Sequence, residues 1–337
     1  MKAIVRVPTK ITVFGEHAVV YGKPAIAVTI PRFILVTLTP RNDSKIEVHT
    51  HGVSARLSSI VLERDSNNVI SQAEPADLQR IVNYIITALN LCEDLLKEEK
   101  KHGYNVEVRS ELPPSIGLGT SAAVSVGVVA ACFALHGEDP LKRRGDVAMT
   151  AWRTEYKVQG AASPMDTFTV TFGGLRYIEP KNFNAQEIVY RGDLPLVVGY
   201  TPRHGTTAEL VAKVRSLRSR APLILNKIMD LIGEVVEEAR RTLEKRDLEE
   251  LGLLMNVNHG LLSSLGVVNE VHDRIVHVLR RAGALGAKTS GAGGGGAFVA
   301  LASSSEDSDR LAKLITGLEA VPVATQIWRR GFEVLEY

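Results

Sequence analysis

The chain has 337 residues, of which 45% are hydrophobic and 23% are charged, a composition typical of globular proteins with an apolar core. This length exceeds the roughly 250–300 residues at which a single core stops growing, so we expect two domains. The net charge of +2 and the lack of a long basic run with interleaved aromatic residues argue against a nucleic-acid partner.

The sequence gives no sign of a membrane segment. Pro8 and Lys10 interrupt the first apolar residues, which does not fit a signal peptide. The longest apolar run, residues 122–135, is shorter than the ~20 residues that a membrane-spanning helix needs. We therefore expect a cytoplasmic protein, and a homodimer stays open as its assembly.

Candidate metal ligands among the cysteines and histidines are few. Cys92 and Cys132 lie in apolar segments without CxxC spacing, which argues against a disulfide framework or a zinc site and favours a reducing compartment. His49 and His51 have the spacing of an HxH metal pair, but no third ligand accompanies them in the sequence. We expect both histidines to be ordinary surface residues.

The N-terminal half predicts strands followed by helices. Residues 3–30 and 33–40 are rich in Val, Ile and Thr and are punctuated by Gly and Pro, which predicts a hairpin-rich sheet. Residues 76–100 have apolar residues at helical spacing, and residues 104–112 alternate like a strand. Small apolar residues on every side of 121–135 predict a helix buried over most of its surface.

The C-terminal half predicts an α+β arrangement. Residues 168–178 and 194–202 predict strands, and we place the domain boundary in the polar stretch between them, which gives domains 1–180 and 181–337. Further helices are predicted over 208–262, 271–287 and 307–318, and further strands after the glycines near residue 295 and at the chain end.

The segment "PPSIGLGTSAA", residues 113–123, predicts an anion site. Gly117 and Gly119 permit positive φ, so that successive N–H groups can point into one concavity beside the positive end of the following helix. Thr120 and Ser121 supply hydroxyls that could cap this helix or bind a Mg²⁺ that bridges phosphates. A capped helix after a plain turn explains this one stretch equally well.

Named glycine motifs fit less well. No lysine follows Gly119, so a Walker A loop is excluded. The segment also matches GxGxxA, the dinucleotide-binding pattern, but Pro113 and Pro114 separate it from the preceding strand. A dinucleotide site is therefore only a weak alternative. A second match within "KTSGAGGGGAFVAL", residues 288–301, leads into a strand instead of a helix, and no HRD or DFG motif accompanies it. We expect this backbone to press against a ligand or another loop.

Two charged residues complete the set that phosphoryl transfer requires. Lys10 lies within a predicted strand and shares a face with Thr12, although a lysine there is usually an ordinary edge residue. Asp166 follows Ser163 and Pro164, where an aspartate commonly forms a turn, and it could instead accept the proton of an attacking hydroxyl. A phosphate loop, a cation, a carboxylate and metal ligands are the parts that such catalysis combines.

The motifs together resemble those of the GHMP kinase superfamily, and within it those of the mevalonate kinase family, in the same order over nearly the whole chain. The segments that carry the resemblance are "KITVFGEHAVVYGKPAIA", "PPSIGLGTSAA", "GAASPMDTFTVTFGG", "TAELVAKVRSL", "MNVNHGLLSSLGV" and "KTSGAGGGGAFVAL". The resemblance implies a two-domain α+β fold, with a left-handed βαβ unit in the N-terminal domain and a ferredoxin-like C-terminal domain. It also implies ATP-dependent phosphorylation of mevalonate in isoprenoid biosynthesis.

Carried over residue by residue, the resemblance assigns roles to named positions. Asp166 and Lys10 are the implied catalytic pair, and Ser121 and Glu155 are the implied Mg²⁺ ligands. The implied ATP-binding residues are Pro113, Ser115, Gly117, Leu118, Gly119, Thr120, Ser121 and Ala122. The implied mevalonate-binding residues are Lys10, Glu16, His17, Asp166, Thr207, Gly293 and Gly294.

Two other functions stay open at this level. A relative without catalysis could bind ATP or a small ligand, although the retention of Lys10, Ser121, Glu155 and Asp166 argues against it. A kinase with the same fold could act on another small alcohol, such as phosphomevalonate or a sugar.

Overall fold

The structure is a computed structural model that describes residues 2–52, 55–63, 76–99, 101–203, 205 and 207–337. Its strands are β1 (Ala3–Phe14), β2 (Ala25–Arg41), β3 (Lys45–Gly52), β4 (Ala55–Glu63), β5 (Gly103–Ser110), β6 (Leu175–Glu179), β7 (Asn184–Glu187), β8 (Leu196–Thr201), β9 (Gly286–Thr289), β10 (Gly296–Leu301), β11 (Val321–Ala324) and β12 (Glu333–Glu336). Its helices are α1 (Ala76–Leu96), α2 (Thr120–Leu135), α3 (Arg144–Gln159), α4 (Met165–Phe172), α5 (Thr207–Arg220), α6 (Pro222–Lys245), α7 (Leu248–Ser264), α8 (Glu270–Arg281) and α9 (Ser305–Thr316), with a short 3₁₀ helix at Ala18–Tyr21.

The first sheet is mixed and has the order β12-β1-β2-β5-β3-β4, with β6 pairing with β2 and β7 pairing with β6. β3 and β5 run parallel, and β4 and α1 form the connection between them, as a crossover requires. β12 pairs antiparallel with β1, so the last strand of the chain lies in this sheet. The division into domains 1–180 and 181–337 stays a prediction.

Helix α2 lies in the core on this sheet, as its apolar sequence predicts. Every residue from Ala122 to Ala134 is buried. Gly127 permits the close approach to β2, because a Cβ at that position would lie 2.6 Å from Val36 Cγ2. Across the described ranges, none of the helices combines the length and the apolar composition needed to cross a bilayer.

The second sheet confirms the ferredoxin-like expectation. It is antiparallel with the order β11-β8-β10-β9, in which the first and third of its strands along the chain lie in the centre. A hydrophobic core shared with the first sheet joins the two halves and includes Ile11 and Val13 of β1 together with Val236 of α6 and Val299 of β10. This shared core fixes β1 against the second sheet, beside the cleft described below.

The strand predicted over residues 168–178 was wrong in its first half. Residues 175–178 lie in β6, but "FTVTF" belongs to helix α4, which ends at Gly173 with a φ of 72°. Six of the eight residues of α4 are buried, so both its polar and its apolar side chains face the protein interior. Alternation of polar and apolar residues therefore does not distinguish a strand from a helix in this segment. Tertiary packing here overrides the β preference of Val, Thr and Phe.

A disulfide links the first two helices, contrary to the expectation from the cysteine spacing. Cys92 of α1 and Cys132 of α2 are bonded, with their Cα atoms 6.6 Å apart. Both cysteines face the contact between the two helices and are fully buried. The spacing rule missed the pair because helix packing, and not proximity along the chain, brings the two residues together.

Removing this disulfide should destabilise the fold. The bond closes a loop with a sequence separation of 40, and loop-closure entropy predicts that a Cys92→Ala, Cys132→Ala variant loses about 3–4 kcal/mol of unfolding free energy. Thermal unfolding of both proteins with and without dithiothreitol measures the effect. We expect the reductant to lower the melting temperature of the wild type only. An equal response of the two proteins would show that the bond does not form in solution.

Candidate active site

A cleft of about 490 Å³ lies where β1, the N-terminus of α2, α3 and α4 meet the loop before β10. Both polar and apolar side chains line it, in an arrangement that suits a small ligand with charged groups. Ten of the residues predicted from the sequence line this cleft, namely Lys10, Glu16, His17, Ser115, Gly117, Gly119, Thr120, Ser121, Glu155 and Asp166.

The segment before α2 has the backbone of an anion-binding loop. Ser115, Gly117 and Gly119 have φ values of 63°, 86° and 73°. Gly119 is the N-cap of α2, and no side chain caps the helix. The first N–H groups of the helix therefore face the cleft with the positive end of the helix dipole, which favours a bound anion over the alternative of a capped helix.

The second glycine segment packs against the first. A Cβ at Gly296 would lie 2.8 Å from the carbonyl oxygen of Ile116, and a Cβ at Gly291 would lie 3.6 Å from that of Gly117. Only glycine permits the first of these approaches without displacing the backbone. The two glycine segments thus support each other, as the sequence predicted.

Lys10 and Asp166 form a close ion pair at the base of the cleft. Lys10 Nζ lies 2.8 Å from Asp166 Oδ1 and donates a hydrogen bond to Thr12 Oγ1 at 3.0 Å. The Lys10 side chain is 2% exposed, whereas that of Asp166 is 29% exposed, so the carboxylate is the partner that a ligand can reach. A Cβ at Gly119 would lie 2.9 Å from Lys10 Cγ, which places the lysine directly beneath the anion-binding loop.

Ser121 and Glu155 form a second polar pair beside the first. Ser121 Oγ, in the first turn of α2, donates a hydrogen bond of 2.7 Å to Glu155 Oε1 of α3. Burial raises the pKa of Glu155 to about 8, and the negative charge of Asp166 acts in the same direction. A nearby cation would stabilise the ionised form of this carboxyl group, because it offsets both the cost of burying the charge and the repulsion by Asp166.

Glu16 and His17 connect β1 to the second glycine segment. Glu16 forms a fully buried ion pair with Lys288 of β9, and Lys288 also donates to the carbonyl oxygen of Thr289 at 2.9 Å. His17 Nε2 donates to the carbonyl oxygen of Ala292 at 3.1 Å, and burial lowers the pKa of His17 to about 4. The imidazole is therefore neutral, and Nδ1 is left as an acceptor.

The other residues predicted from the sequence have different surroundings. Leu118 and Ala122 point into the hydrophobic cores, and Pro113 is partly buried. Gly293 and Gly294 pack against the backbone of Val267, while Gly291 and Ala292 line the cleft. Thr207 begins α5, and its side chain lies outside the described residues.

His49 and His51, the pair with HxH spacing, each lie beside a carboxylate, and their assignment as ordinary surface residues stays a prediction. His49 and His51 lie on one face of β3, and each pairs with its own carboxylate. His49 Nε2 lies 3.1 Å from Glu47 Oε1, and His51 Nε2 lies 3.1 Å from Glu107 Oε1.

Sequence reasoning missed two arginines that the fold brings to the cleft. Arg80 of α1 donates to Ser115 Oγ at 3.1 Å, and Arg203 donates to the carbonyl oxygen of Ser115 at 3.1 Å. Both guanidinium groups line the cleft beside the anion-binding loop. Neither arginine belongs to a recognisable motif. The sequence places Arg80 on the polar face of a helix and Arg203 in a loop after a strand.

The arrangement contains what phosphoryl transfer needs in one place. Open N–H groups at the start of α2 are available to an anion, Lys10 supplies positive charge beneath them, and Asp166 offers a reachable carboxylate 2.8 Å from that charge. Ser121 and Glu155 add hard oxygen atoms of the kind that Mg²⁺ prefers.

Family models agree with this geometry. The model described as "GHMP kinases N terminal domain" matches residues 83–174, which include the anion-binding loop, Glu155 and Asp166. The model described as "GHMP kinases C terminal" matches residues 239–316, which include the second glycine segment.

Individual relatives identify the group within these kinases. The mevalonate kinase of Pyrococcus furiosus is 36% identical over 100% of this chain and 99% of its own. The crystal structure of the L. major mevalonate kinase in complex with R-mevalonate has a TM-score of 0.72 and 29% identity, and the match covers 96% of this chain and 94% of that one. The Lactococcus lactis galactokinase complexed with galactose has a TM-score of 0.80 at 19% identity, over 98% of this chain and 95% of its own, which shows a shared fold alone. The chain therefore belongs to the mevalonate kinase family of the GHMP kinases.

Proposed function

We propose that this protein transfers the γ-phosphoryl group of ATP to the primary (5-) hydroxyl of (R)-mevalonate, giving 5-phosphomevalonate and ADP in the mevalonate pathway of isoprenoid biosynthesis. The observation that carries the proposal is the Lys10–Asp166 pair, with 2.8 Å between Nζ and Oδ1, beneath the open N-terminus of α2. The mevalonate kinases among the relatives supply the choice of alcohol.

Lys10 and Asp166 would have different roles at the attacking hydroxyl, namely charge stabilisation and proton acceptance. The hydroxyl oxygen bonds to the γ-phosphorus while the bond from that phosphorus to the bridging oxygen of ADP breaks. An ordinary carboxylate is too weak a base to remove an alcohol's proton beforehand, so Asp166 accepts the proton late, as the new bond forms. The Lys10 ammonium group stabilises the negative charge on the attacking and transferred oxygens.

The anion-binding loop would hold the nucleotide's phosphates. The N–H groups of Gly117 to Ser121 and the positive end of α2 suit the β- and γ-phosphates. Arg80 and Arg203 line the same wall and add positive charge beside Ser115. Leu118 and Ala122 would contribute through their backbone N–H groups, since their side chains lie in the cores, and Pro113 stays a predicted contact.

Ser121 and Glu155 fit a Mg²⁺ ion through the chemistry of their donor atoms. Both offer oxygen, their side chains lie 2.7 Å apart, and Glu155 is buried next to the negative charge of Asp166. When bound, Mg²⁺ neutralises phosphate charge, as in other phosphoryl-transfer enzymes. The Ser121 hydroxyl holds the Glu155 carboxylate in place from α2.

The mevalonate pocket would lie on the opposite side of Asp166 from the phosphate loop. His17 is neutral and offers Nδ1 as a hydrogen-bond acceptor, and Glu16 fixes the turn that carries it through the buried pair with Lys288. Thr207, Gly293 and Gly294 stay predicted substrate contacts.

Two further expectations stay predictions. The Cys92–Cys132 disulfide argues against a cytoplasmic location, because disulfides are unusual in reducing compartments outside hyperthermophiles. A homodimer also stays a prediction.

Mevalonate-dependent ATP turnover tests the activity and the role of Asp166 together. We expect the wild type to consume ATP with mevalonate and to do so far more slowly with phosphomevalonate or galactose. Asp166→Asn should lower kcat by about 10²–10⁴-fold because the proton acceptor is lost, while ADP binding changes little. The matched control is Asp309→Asn, on the exposed side of α9, which should keep full activity.

Absence of mevalonate-dependent turnover in the wild type would favour the ligand-binding alternative. Turnover of Asp166→Asn at the wild-type rate would contradict the role given to that carboxylate.

Proton release on nucleotide binding tests Glu155 as a metal ligand. The pKa of Glu155 is raised to about 8, so the carboxyl group carries its proton in the free protein at about pH 7, and a bound cation must displace it. Titration calorimetry in two buffers of different ionisation enthalpy should show more protons released with MgADP by the wild type than by Glu155→Gln. We expect this difference to vanish above about pH 9, where Glu155 is already ionised. Equal release at pH 7 would show that Glu155 does not bind the metal.

A further inference from the structure

A second cluster of metal-ligating side chains lies at the opposite end of α2 from the active site. The ligand atoms of Glu98, His102 and His136 all lie within 4.8 Å of one another, and the three residues are half-buried. Among the described residues, this is the one group of three or more such side chains close enough to share an ion. The 16 residues of α2 place it roughly 24 Å from the anion-binding loop.

His136 is oriented as metal-binding histidines are. Its Nδ1 lies 2.8 Å from the carbonyl oxygen of Cys132, one turn earlier in α2. Because a carbonyl oxygen only accepts hydrogen bonds, Nδ1 carries the proton, and the lone pair of the neutral ring is on Nε2. Nε2 in turn lies 3.9 Å from Glu98 Oε1, so a ligand nitrogen and a ligand oxygen face each other across a short gap.

A buried carboxylate lies close to His102. Oε1 of Glu93, which is fully buried on α1, lies 3.6 Å from His102 Nδ1, beyond hydrogen-bond distance. The same oxygen accepts the backbone N–H of His102 at 3.2 Å and the Tyr104 hydroxyl at 3.1 Å. Glu93 therefore holds the backbone of His102 in place and puts a carboxylate near its ring.

The backbone holds the three ligands together at two helix ends. Lys97 has a φ of 60°, and this turn brings the N–H of Glu98 to 3.0 Å from the carbonyl oxygen of Glu93. His136 is the C-cap of α2. The Cys92–Cys132 disulfide fixes α1 to α2, and its two cysteines lie within two helical turns of Glu98 and His136. The negative ends of two helix dipoles meet here, which favours a cation.

We propose that Glu98, His102 and His136 bind one divalent transition-metal ion, with Zn²⁺ the best match. Two imidazole nitrogens and one carboxylate oxygen are a ligand set typical of zinc, with water as the fourth ligand, whereas Mg²⁺ prefers oxygen alone. The ion links the end of α1, the residue before β5 and the end of α2. Its role is structural, because the site lies at the far end of α2 from the cleft.

The test uses the untagged full-length protein after treatment with a chelator. We expect isothermal titration with Zn²⁺ to give one tight site per chain, Co²⁺ to give the visible absorption of a four-coordinate ion, and Zn²⁺ to raise the melting temperature. His102→Gln and His136→Gln should each weaken Zn²⁺ binding at least tenfold and abolish the thermal shift, with kinase turnover unchanged.

Three further variants distinguish this site from Zn²⁺ binding elsewhere on the protein. His277→Gln removes an exposed histidine and should bind Zn²⁺ as the wild type does. Glu155→Gln should also retain the site, which excludes binding in the active site. Glu98→Gln keeps the side-chain shape and should lose the thermal shift even if a histidine variant folds poorly.

Absence of a stoichiometric Zn²⁺ site in the wild type would overturn the proposal. Unchanged binding in His136→Gln or in Glu98→Gln would overturn it equally. The cluster would then be an edge contact of two imidazole rings, whose centroids are 5.3 Å apart, beside a surface carboxylate.

Discussion

The ion pair between the buried Lys10 and the partly exposed Asp166 is the interaction on which the active site depends. A lysine that is 2% exposed on a central strand is stable as an ammonium group only with an opposite charge and hydrogen-bond acceptors around it. Asp166 supplies the charge and Thr12 supplies the hydroxyl oxygen. Because Asp166 is the more exposed partner, a substrate can reach the carboxylate while the lysine stays fixed beneath the phosphate loop.

The glycines explain how two loops from distant parts of the chain reach this pair. Gly119 lets the backbone lie directly on the Lys10 side chain, and Gly296 lets the second glycine segment contact Ile116. The shared core and the buried Glu16–Lys288 pair hold β1 against the second sheet. The cleft is therefore assembled by packing between the two halves, and the same packing holds its charged groups in place.

The sequence was sufficient for features that follow from local pattern. It placed Lys10 on a strand, and it placed the glycines and Ser121 at the start of a buried helix. Prediction from the sequence failed where tertiary packing determines the local structure or the contact. Helix α4 looked like a strand because it is buried on nearly every side, and the partners Cys92–Cys132 and Glu16–Lys288 are distant in sequence. Arg80 and Arg203 carry no local signal, and only the fold brings them to the loop.

The central claim is that one substrate hydroxyl lies between Asp166 and the phosphate held by the N-terminus of α2. A crystal structure of the full chain with mevalonate and a non-hydrolysable ATP analogue tests it most directly. The account predicts that the primary hydroxyl oxygen lies within about 3.2 Å of an Asp166 carboxylate oxygen, in line with the terminal phosphate on Gly117 to Ser121. A triphosphate bound away from that loop, or a hydroxyl that contacts neither Asp166 nor Lys10, would contradict it.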